Sequence, residues 1–353
     1  MRIACLDAFH RLSRADNWWY YKIPPLLSVA YLVMLACSMS PVKGIVTTLA
    51  ALISLSAVAS YGHVLNDIFD IAQDRLAGKP NRMAARSPFQ RLFWCGLFLA
   101  LGFITWAVTD MGSPAGLALA ADYLLPTLYS VPPVRLKERG VWAALADAAG
   151  VHAIPTLFVG LVFLHQAGCP QAAGFLSAAV GWAFLVGLRG ILIHQLQDRL
   201  NDQKAGASTM AVSADPARLR LLAACVVFPV ELLAFLVLCL AVFPFAPLPL
   251  YMVLGYGAFD YVRLRIAWKA PFDPIPLIPG YYIPPFDLYE VWLPLGLALT
   301  LAVHRPVYLL LVVAHVALFY TSIRIRALEV FRVLRCLTRC ALLVFSSLFP
   351  GKS

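Results

Sequence analysis

The chain reads as an all-α, polytopic transmembrane helical bundle of nine to ten spans. Three observations predict it. Of 353 residues, 61% are hydrophobic and only 13% are charged, against about 25% charged in a soluble domain. Mean hydropathy is +0.78, and the apolar residues gather into runs near the roughly 20 residues that a bilayer requires. Finally, the net charge of +10 is concentrated in alternate loops. In a soluble chain that excess would suggest nucleic acid, but here it is the positive-inside pattern, so no nucleic-acid partner is expected. The eight cysteines form no Cys-x-x-Cys pair. Cys37, Cys95, Cys225 and Cys239 lie inside apolar runs, which excludes a disulfide framework or a metal knuckle.

Residues 1–22 carry Arg2, Arg11, Arg14 and Lys22 and the aromatic group Trp18-Trp19-Tyr20-Tyr21. That order does not fit a cleaved signal peptide and reads as a cytoplasmic arm with an interfacial belt. Residues 23–323 form the transmembrane body, with spans expected at 23–40, 44–66, 90–109, 113–131, 141–165, 172–197, 218–243, 247–263, 287–303 and 306–323. The loops after spans two, four, six and eight hold Arg75 through Arg91, then Arg135, Lys137 and Arg139, then Arg199, Lys204, Arg218 and Arg220, then Arg263, Arg265 and Lys269. The opposite loops hold little beyond Lys43 and Arg305. Both termini and these loops are therefore expected on the cytoplasmic side of the cell inner membrane.

Within the insert 264–286, the prolines 271, 274, 276, 279, 284 and 285 surround Gly280, Tyr281 and Tyr282. Prolines at that density cannot sustain a helix, so this stretch is an ordered lid or a surface strap. In the tail, 324–353, Glu329, Arg332, Arg335 and Arg339 recur every three or four residues with Leu328, Phe331, Leu334 and Leu337 between them. That is a basic amphipathic helix suited to anionic lipid.

Three polar motifs stand at the ends of apolar spans. The second span runs into Asn66, Asp67, Asp70 and Asp74, followed by Lys79, Arg82 and Arg86. If the helix continues, the three aspartates at i, i+3 and i+7 share an arc of roughly 100° with Asn66. Carboxylates so placed attract a cation, and oxygen-only donors suit Mg²⁺ rather than zinc. Mg²⁺ brings phosphate oxygens with it, and the following basic residues hold the same phosphates. The sixth span ends with His194, Asp198 and Asp202 one turn apart on one face, then Lys204, Gly206, Ser208 and Thr209. Between them, Tyr129-Ser130-Val131-Pro132-Pro133-Val134-Arg135-Leu136-Lys137 breaks its helix and projects cations from the break. Five of the chain's 18 acidic residues lie in the two aspartate clusters.

These three motifs, in this order on these loops, resemble the UbiA superfamily of intramembrane prenyltransferases over roughly residues 20 to 245. The Tyr129-to-Lys137 loop is most similar to chlorophyll-synthase-like and homogentisate-type members. The resemblance implies a bundle around a cavity open to lipid, with the aspartate motifs facing each other and binding a polyprenyl diphosphate through Mg²⁺. It implies Asn66, Asp67, Asp70 and Asp74 as the first metal site and Asp198 and Asp202 as the second, these five aspartates being the catalytic set. Asn66, Lys79, Arg82, Tyr129, Arg135, Lys137 and Lys204 are implied as diphosphate contacts. The chain departs from the family at Met83-Ala84-Ala85-Arg86, where a proline and small residues are usual.

The expected reaction moves a prenyl group from its diphosphate to a lipophilic or aromatic acceptor through an allylic carbocation, with metal and cations stabilising the departing diphosphate. A terpene cyclase and a phosphoribosyl transferase acting on polyprenyl phosphate are the alternatives on the same scaffold. A cation-coupled transporter is the alternative from another class. Phe69, Trp142, Phe158 and Trp182 are either cation-shielding walls or ordinary packing and lipid contacts. Asp122, Asp147, His152, Arg189, Glu231 and His315 fall inside spans, where charge must face a cavity or a partner. Arg189 is expected to pair with Asp122 or Asp147 or to bind the acceptor, and His152 and His315 to be satisfied packing residues.

Overall fold

The computed structural model describes residues 13–76, 78–204, 206, 208–279 and 282–348. Arg2 and Arg11 of the arm, Gly280 and Tyr281 of the insert and residues 349–353 of the tail lie outside the described residues. The architecture is all-helical. The principal helices are α1 (Trp19–Ala36), α2 (Pro41–Phe69), the short α3 (Ile71–Leu76), α4 (Pro88–Val108) and α5 (Ser113–Ser130). They continue as α6 (Val141–Ala167), α7 (Leu176–Lys204), α8 (Pro216–Val242), α9 (Leu248–Val262), α10 (Leu288–His304), α11 (Leu309–Leu318) and α12 (Tyr320–Leu348). Each expected span falls on a helix. Among the described residues, five helices are long and apolar enough to cross a membrane by length and composition, six if the bent pair at 306–339 is one span.

Proline writes much of the local structure. It opens α2, α4 and α8 within the first turn, where a missing N–H costs nothing. Ser87 caps α4 in a reciprocal box with Gln90. In α6, α8 and α10 a proline inside the helix (Pro155, Pro229, Pro294) is preceded by one widened turn, at Ala149–Ala153, Ala223–Val227 and Leu288–Trp292 respectively. The ring removes a ladder donor and collides with the carbonyl one turn back, and the wider turn relieves both.

The core joins α1, α2, α5, α6, α7, α8 and α10. Helix α4 is peripheral: only 11% of its apolar window is buried, so Leu92, Leu97, Leu101 and Ile104 face outward. It still seats closely, because a Cβ at Gly102 would strike the Tyr123 hydroxyl, which donates to the carbonyl of Phe98 at 2.7 Å.

Three side-chain bonds tie α11 and its flanks to α1 and the residues after it. Tyr308 donates to Met39 O at one end (2.8 Å), Tyr31 meets His315 midway (3.2 Å) and Trp19 donates to Leu318 O at the other (3.3 Å). The tenth expected span, 306–323, is therefore corrected at its end. The chain turns by 85° at Phe319, which stacks on Trp19, and α12 leaves across the bundle. Arginines from Arg324 onward could not have continued into hydrocarbon.

The insert is a strap. Its prolines lack N–H groups, so it presents carbonyls, and side chains of α7 and α8 donate to them: Arg189 to Pro274 O (3.1 Å), Arg220 to Ile275 O (3.3 Å) and Gln197 to Pro276 O (2.9 Å). Ile275 plugs the strap into an apolar cluster with Leu192, Leu196 and Ala144. The expected pairing of Arg189 is overturned here: it meets neither Asp122 nor Asp147 but Glu231, through two bonds of 2.6 and 2.8 Å, both side chains fully buried. Phe286 and Phe228 lie over its guanidinium. A second buried arginine, Arg263, bonds Asp260 (2.9 Å) and Asp287 (2.9 Å) inside a box of Tyr256, Phe259, Trp268 and Tyr282.

Candidate active site

All three motifs meet at one end of the bundle. Helix α2 breaks at Asp70, whose φ of −101° closes it, yet Asp74 N still bonds Asp70 O (2.8 Å) and α3 resumes the path. The expected unbroken face of Asp67, Asp70 and Asp74 is thus bent. Asp67 turns inward, 1% exposed and paired with Arg14, with its second oxygen unpartnered among the described residues. Asp74 accepts from Asn81 (2.7 Å), which also donates to Asp67 O and accepts from Met83 N. Met83, the departure from the family pattern, is fully buried against Val64 and Phe98. It pins the loop that carries Lys79 and Arg82, both of which remain exposed at the mouth.

The second loop reaches across to the first. Lys137 donates to Asn66 (2.9 Å) and is paired with Asp70, while Arg135 donates to Asp70 (3.0 Å) and Gln73 (2.7 Å). Burial holds the Lys137 ammonium below the ordinary lysine range, against the attraction of Asp70. Gly140 N bonds Ser208 O (3.2 Å), which ties this loop to the third. There α7 stays helical through Lys204, so His194, Asp198 and Asp202 share a face as expected. His194 stands 3.7 Å from Asp198, and Thr209 donates to Asp202 (3.2 Å). Lys79 of the first loop lies within electrostatic reach of Asp202, and Tyr129 within reach of both Asp70 and Asp202. Lys204 is exposed and bonds to none of the other site residues.

Beneath the loops lies a cavity of about 450 Å³. Asn66, Asp70, Tyr129, Lys137 and His194 line it near the motifs, and Leu26, Leu55, Val58, Leu125 and Pro155 deeper down. Asp67, Asp74, Asp198, Asp202, Lys79, Arg82, Arg135 and Lys204 are not on its wall. The proposed shielding aromatics do not line it either. Phe158 and Trp182 are buried in packing and Trp142 is largely exposed, as the packing-or-lipid alternative had it. Trp18 takes the wall position instead.

Sequence reasoning missed Arg14, Lys22 and His63 as cavity residues. Lys22 donates to His152 (2.7 Å), with Asp147 within electrostatic reach. The only signal for Arg14 and Lys22 was their placement just before the first span.

Among the described residues no three carboxylate, imidazole or thiolate groups form a ready-made cation cage. The protein's own cations occupy the acidic groups: Arg14 on Asp67, Arg135 and Lys137 on Asp70. The donor set nonetheless suits Mg²⁺, which keeps several waters and phosphate oxygens and asks only one or two carboxylates of the protein. Every donor here is oxygen, and the buried, unpartnered Asp67 oxygen is short of a positive partner.

Comparison with known proteins follows the same lines. A model of the UbiA prenyltransferase family matches residues 26–271. A lycopene elongase/hydratase of Halobacterium salinarum is 28% identical over 217 residues, 57% of this chain and 69% of that protein. A UbiA homolog from Archaeoglobus fulgidus, solved bound to DMAPP and Mg²⁺, superposes with a TM-score of 0.58 at 18% identity, covering 83% of this chain and 98% of that one. Its complex with GPP and Mg²⁺ gives 0.57 at the same identity and coverage.

Proposed function

The chain is an enzyme of the UbiA prenyltransferase family, and from that premise we propose that it moves a prenyl group from a prenyl diphosphate to a lipophilic acceptor within the membrane, with Mg²⁺. The observation that carries this reading is the stitching of three motif loops over one apolar cavity. The Archaeoglobus relative's complexes with DMAPP, GPP and Mg²⁺ support it.

Asn66, Asp67, Asp70 and Asp74 on one side and Asp198 and Asp202 on the other would hold Mg²⁺, which supplies positive charge to the departing diphosphate when bound. Lys137, Arg135, Lys79 and Arg82 bind the same diphosphate as donors, Tyr129 orients it from the wall, and Lys204 attracts it at the rim. The allylic carbon–oxygen bond breaks, and its electron pair leaves with the diphosphate. Trp18, Leu26, Leu55, Val58 and Leu125 keep water from the cation until the acceptor's π electrons form the new carbon–carbon bond; the cation this leaves on the acceptor is quenched by loss of a proton from its adjacent carbon to the departed diphosphate.

The arginines and lysines of the motif loops support a cytoplasmic location for them, as the ten-span reading has it. Helix α12 then lies in the headgroup layer. Its inner face, Arg326, Glu329 and Val333, meets the protein, while Tyr320, Phe331 and Leu334 are exposed to one side and Arg324, Arg332, Arg335 and Arg339, with Ile325 and Leu328 among them, to the other. An exposed helix with one apolar and one basic stripe fits anionic lipid.

The test is pyrophosphate release by purified protein given Mg²⁺, a series of five- to twenty-carbon prenyl diphosphates and a lipid extract as acceptor. Asp198→Ala and Asp67→Ala are expected to lose at least about 100-fold. Full activity in either, or a cyclised hydrocarbon formed without acceptor, would overturn the reading.

A further inference from the structure

Asp122, on α5, is one of the residues that line the cavity. It is 1% exposed and on the cavity wall, and neither carboxyl oxygen has a hydrogen-bond partner among the described residues. Other buried carboxylates are treated differently: Glu231, Asp260 and Asp287 each meet an arginine. A buried carboxyl without a partner is costly whether charged or neutral. Apolar side chains, among them Leu26, Leu55, Val58, Ala59 and Leu125, line the same cavity. A water there would find few of the two to four polar partners it needs.

The position narrows what can satisfy it. Asp122 lies seven residues before Tyr129 in one helix, hence on the same face and about 10 Å further from the diphosphate site. A prenyl tail carries no hydrogen-bond donor, so the donor substrate leaves the carboxyl unpaired. We propose that Asp122 anchors a hydroxyl group of the acceptor, which is therefore an oxygenated isoprenoid or similar lipid alcohol rather than a pure hydrocarbon. This rests on the transferase reading above and narrows its acceptor class. The carboxyl's oxygen accepts from the hydroxyl, and holding that group about 10 Å below Tyr129 sets which carbon of the acceptor reaches the allylic cation.

The test uses geranylgeraniol and the saturated hydrocarbon of the same skeleton as probes with purified protein in detergent, reading the unfolding temperature. The alcohol is expected to raise it by several degrees more than the hydrocarbon. That difference disappears in Asp122→Leu and survives in part in Asp122→Asn, whose amide oxygen still accepts. Asp122→Leu replaces an unpaired carboxyl with a side chain like its neighbours and should fold at least as well as the parent. Equal shifts in the parent, or an alcohol preference that persists in Asp122→Leu, would overturn the proposal. The binding readout needs no turnover, so it stands apart from the pyrophosphate assay, whose failure would remove the transferase reading itself.

Discussion

Removing Arg14 tests whether the acidic motif is a cation site. Asp67 is 1% exposed and its side chain is paired with Arg14, itself 22% exposed. Breaking a buried ion pair costs about 3–5 kcal/mol, and the exposure of Arg14 reduces this to about 2 kcal/mol. At about 2.1 cal/mol/K per residue, a chain of 353 residues has an unfolding entropy near 0.7 kcal/mol/K. Arg14→Ala should therefore lower the unfolding temperature by about 3 °C in EDTA. Mg²⁺ binding then acts by linkage on the native state alone. In the parent it must compete with the guanidinium, whereas in the variant the carboxylate is free. Titrated with Mg²⁺ in a calorimeter, the variant should respond at lower concentration, and its deficit should close as the metal saturates. A deficit that stays constant at every Mg²⁺ concentration would show that Asp67 does not hold the ion, and the assignment of the first site would fall.

Three further outcomes follow. Lys137→Met removes a buried donor shared by Asn66 and Asp70 and should lower kcat for pyrophosphate release by about 10²–10³; a loss under tenfold would remove Lys137 from the diphosphate site. Glu231→Gln leaves Arg189 buried without a counter-charge and should cost about 3–5 kcal/mol, seen as a lower denaturation midpoint and earlier proteolysis of the strap; an unchanged midpoint would mean the strap does not depend on the Arg189–Glu231 pair. Replacing Arg332, Arg335 and Arg339 together by Gln should weaken association of an α12 peptide with vesicles containing anionic lipid by about 3 kcal/mol, at roughly 1 kcal/mol per charge; equal binding to neutral vesicles by the parent peptide would refute the lipid assignment.

What could be read beforehand follows from the physics of each signal. Apolar runs report on the bilayer, which acts on every residue alike, so each expected span falls on a helix, and five of those helices, six with the bent pair, are long and apolar enough to cross among the described residues. The motif order was equally legible, because helical spacing puts His194, Asp198 and Asp202 on one face whatever surrounds them. Pairings over long sequence separations were not legible. Arg189 to Glu231 crosses 42 positions and Arg14 to Asp67 crosses 53, and nothing local marks one carboxylate over another as the partner. Arg263 looked like one more positive charge in a cytoplasmic loop, yet it is 1% exposed in an aromatic box. The bend at Asp70 was hidden for a related reason: it lies where the cations of the second loop, distant in sequence, converge on that carboxylate.

The buried charges divide by how they can be released. Arg189 and Arg263 are enclosed by rings and held by more than one bond, so opening either exposes a guanidinium to hydrocarbon, and both fasten the strap and the later helices. The pairs at the mouth are of another kind. Arg135, Lys137 and Asp70 keep 13 to 14% of their side-chain surface exposed, and Lys137 and Arg135 converge on a single oxygen of Asp70. On the proposed function, a diphosphate arriving there would offer those cations more oxygens than Asp70 does, and a divalent ion arriving with it would return positive charge to the carboxylate. Both exchanges replace one charge-assisted bond by another, so neither requires a bare charge at any stage. The same site can therefore remain folded with its charges internally paired and still yield them to substrate, provided the enclosed arginines behind it keep the helix ends still.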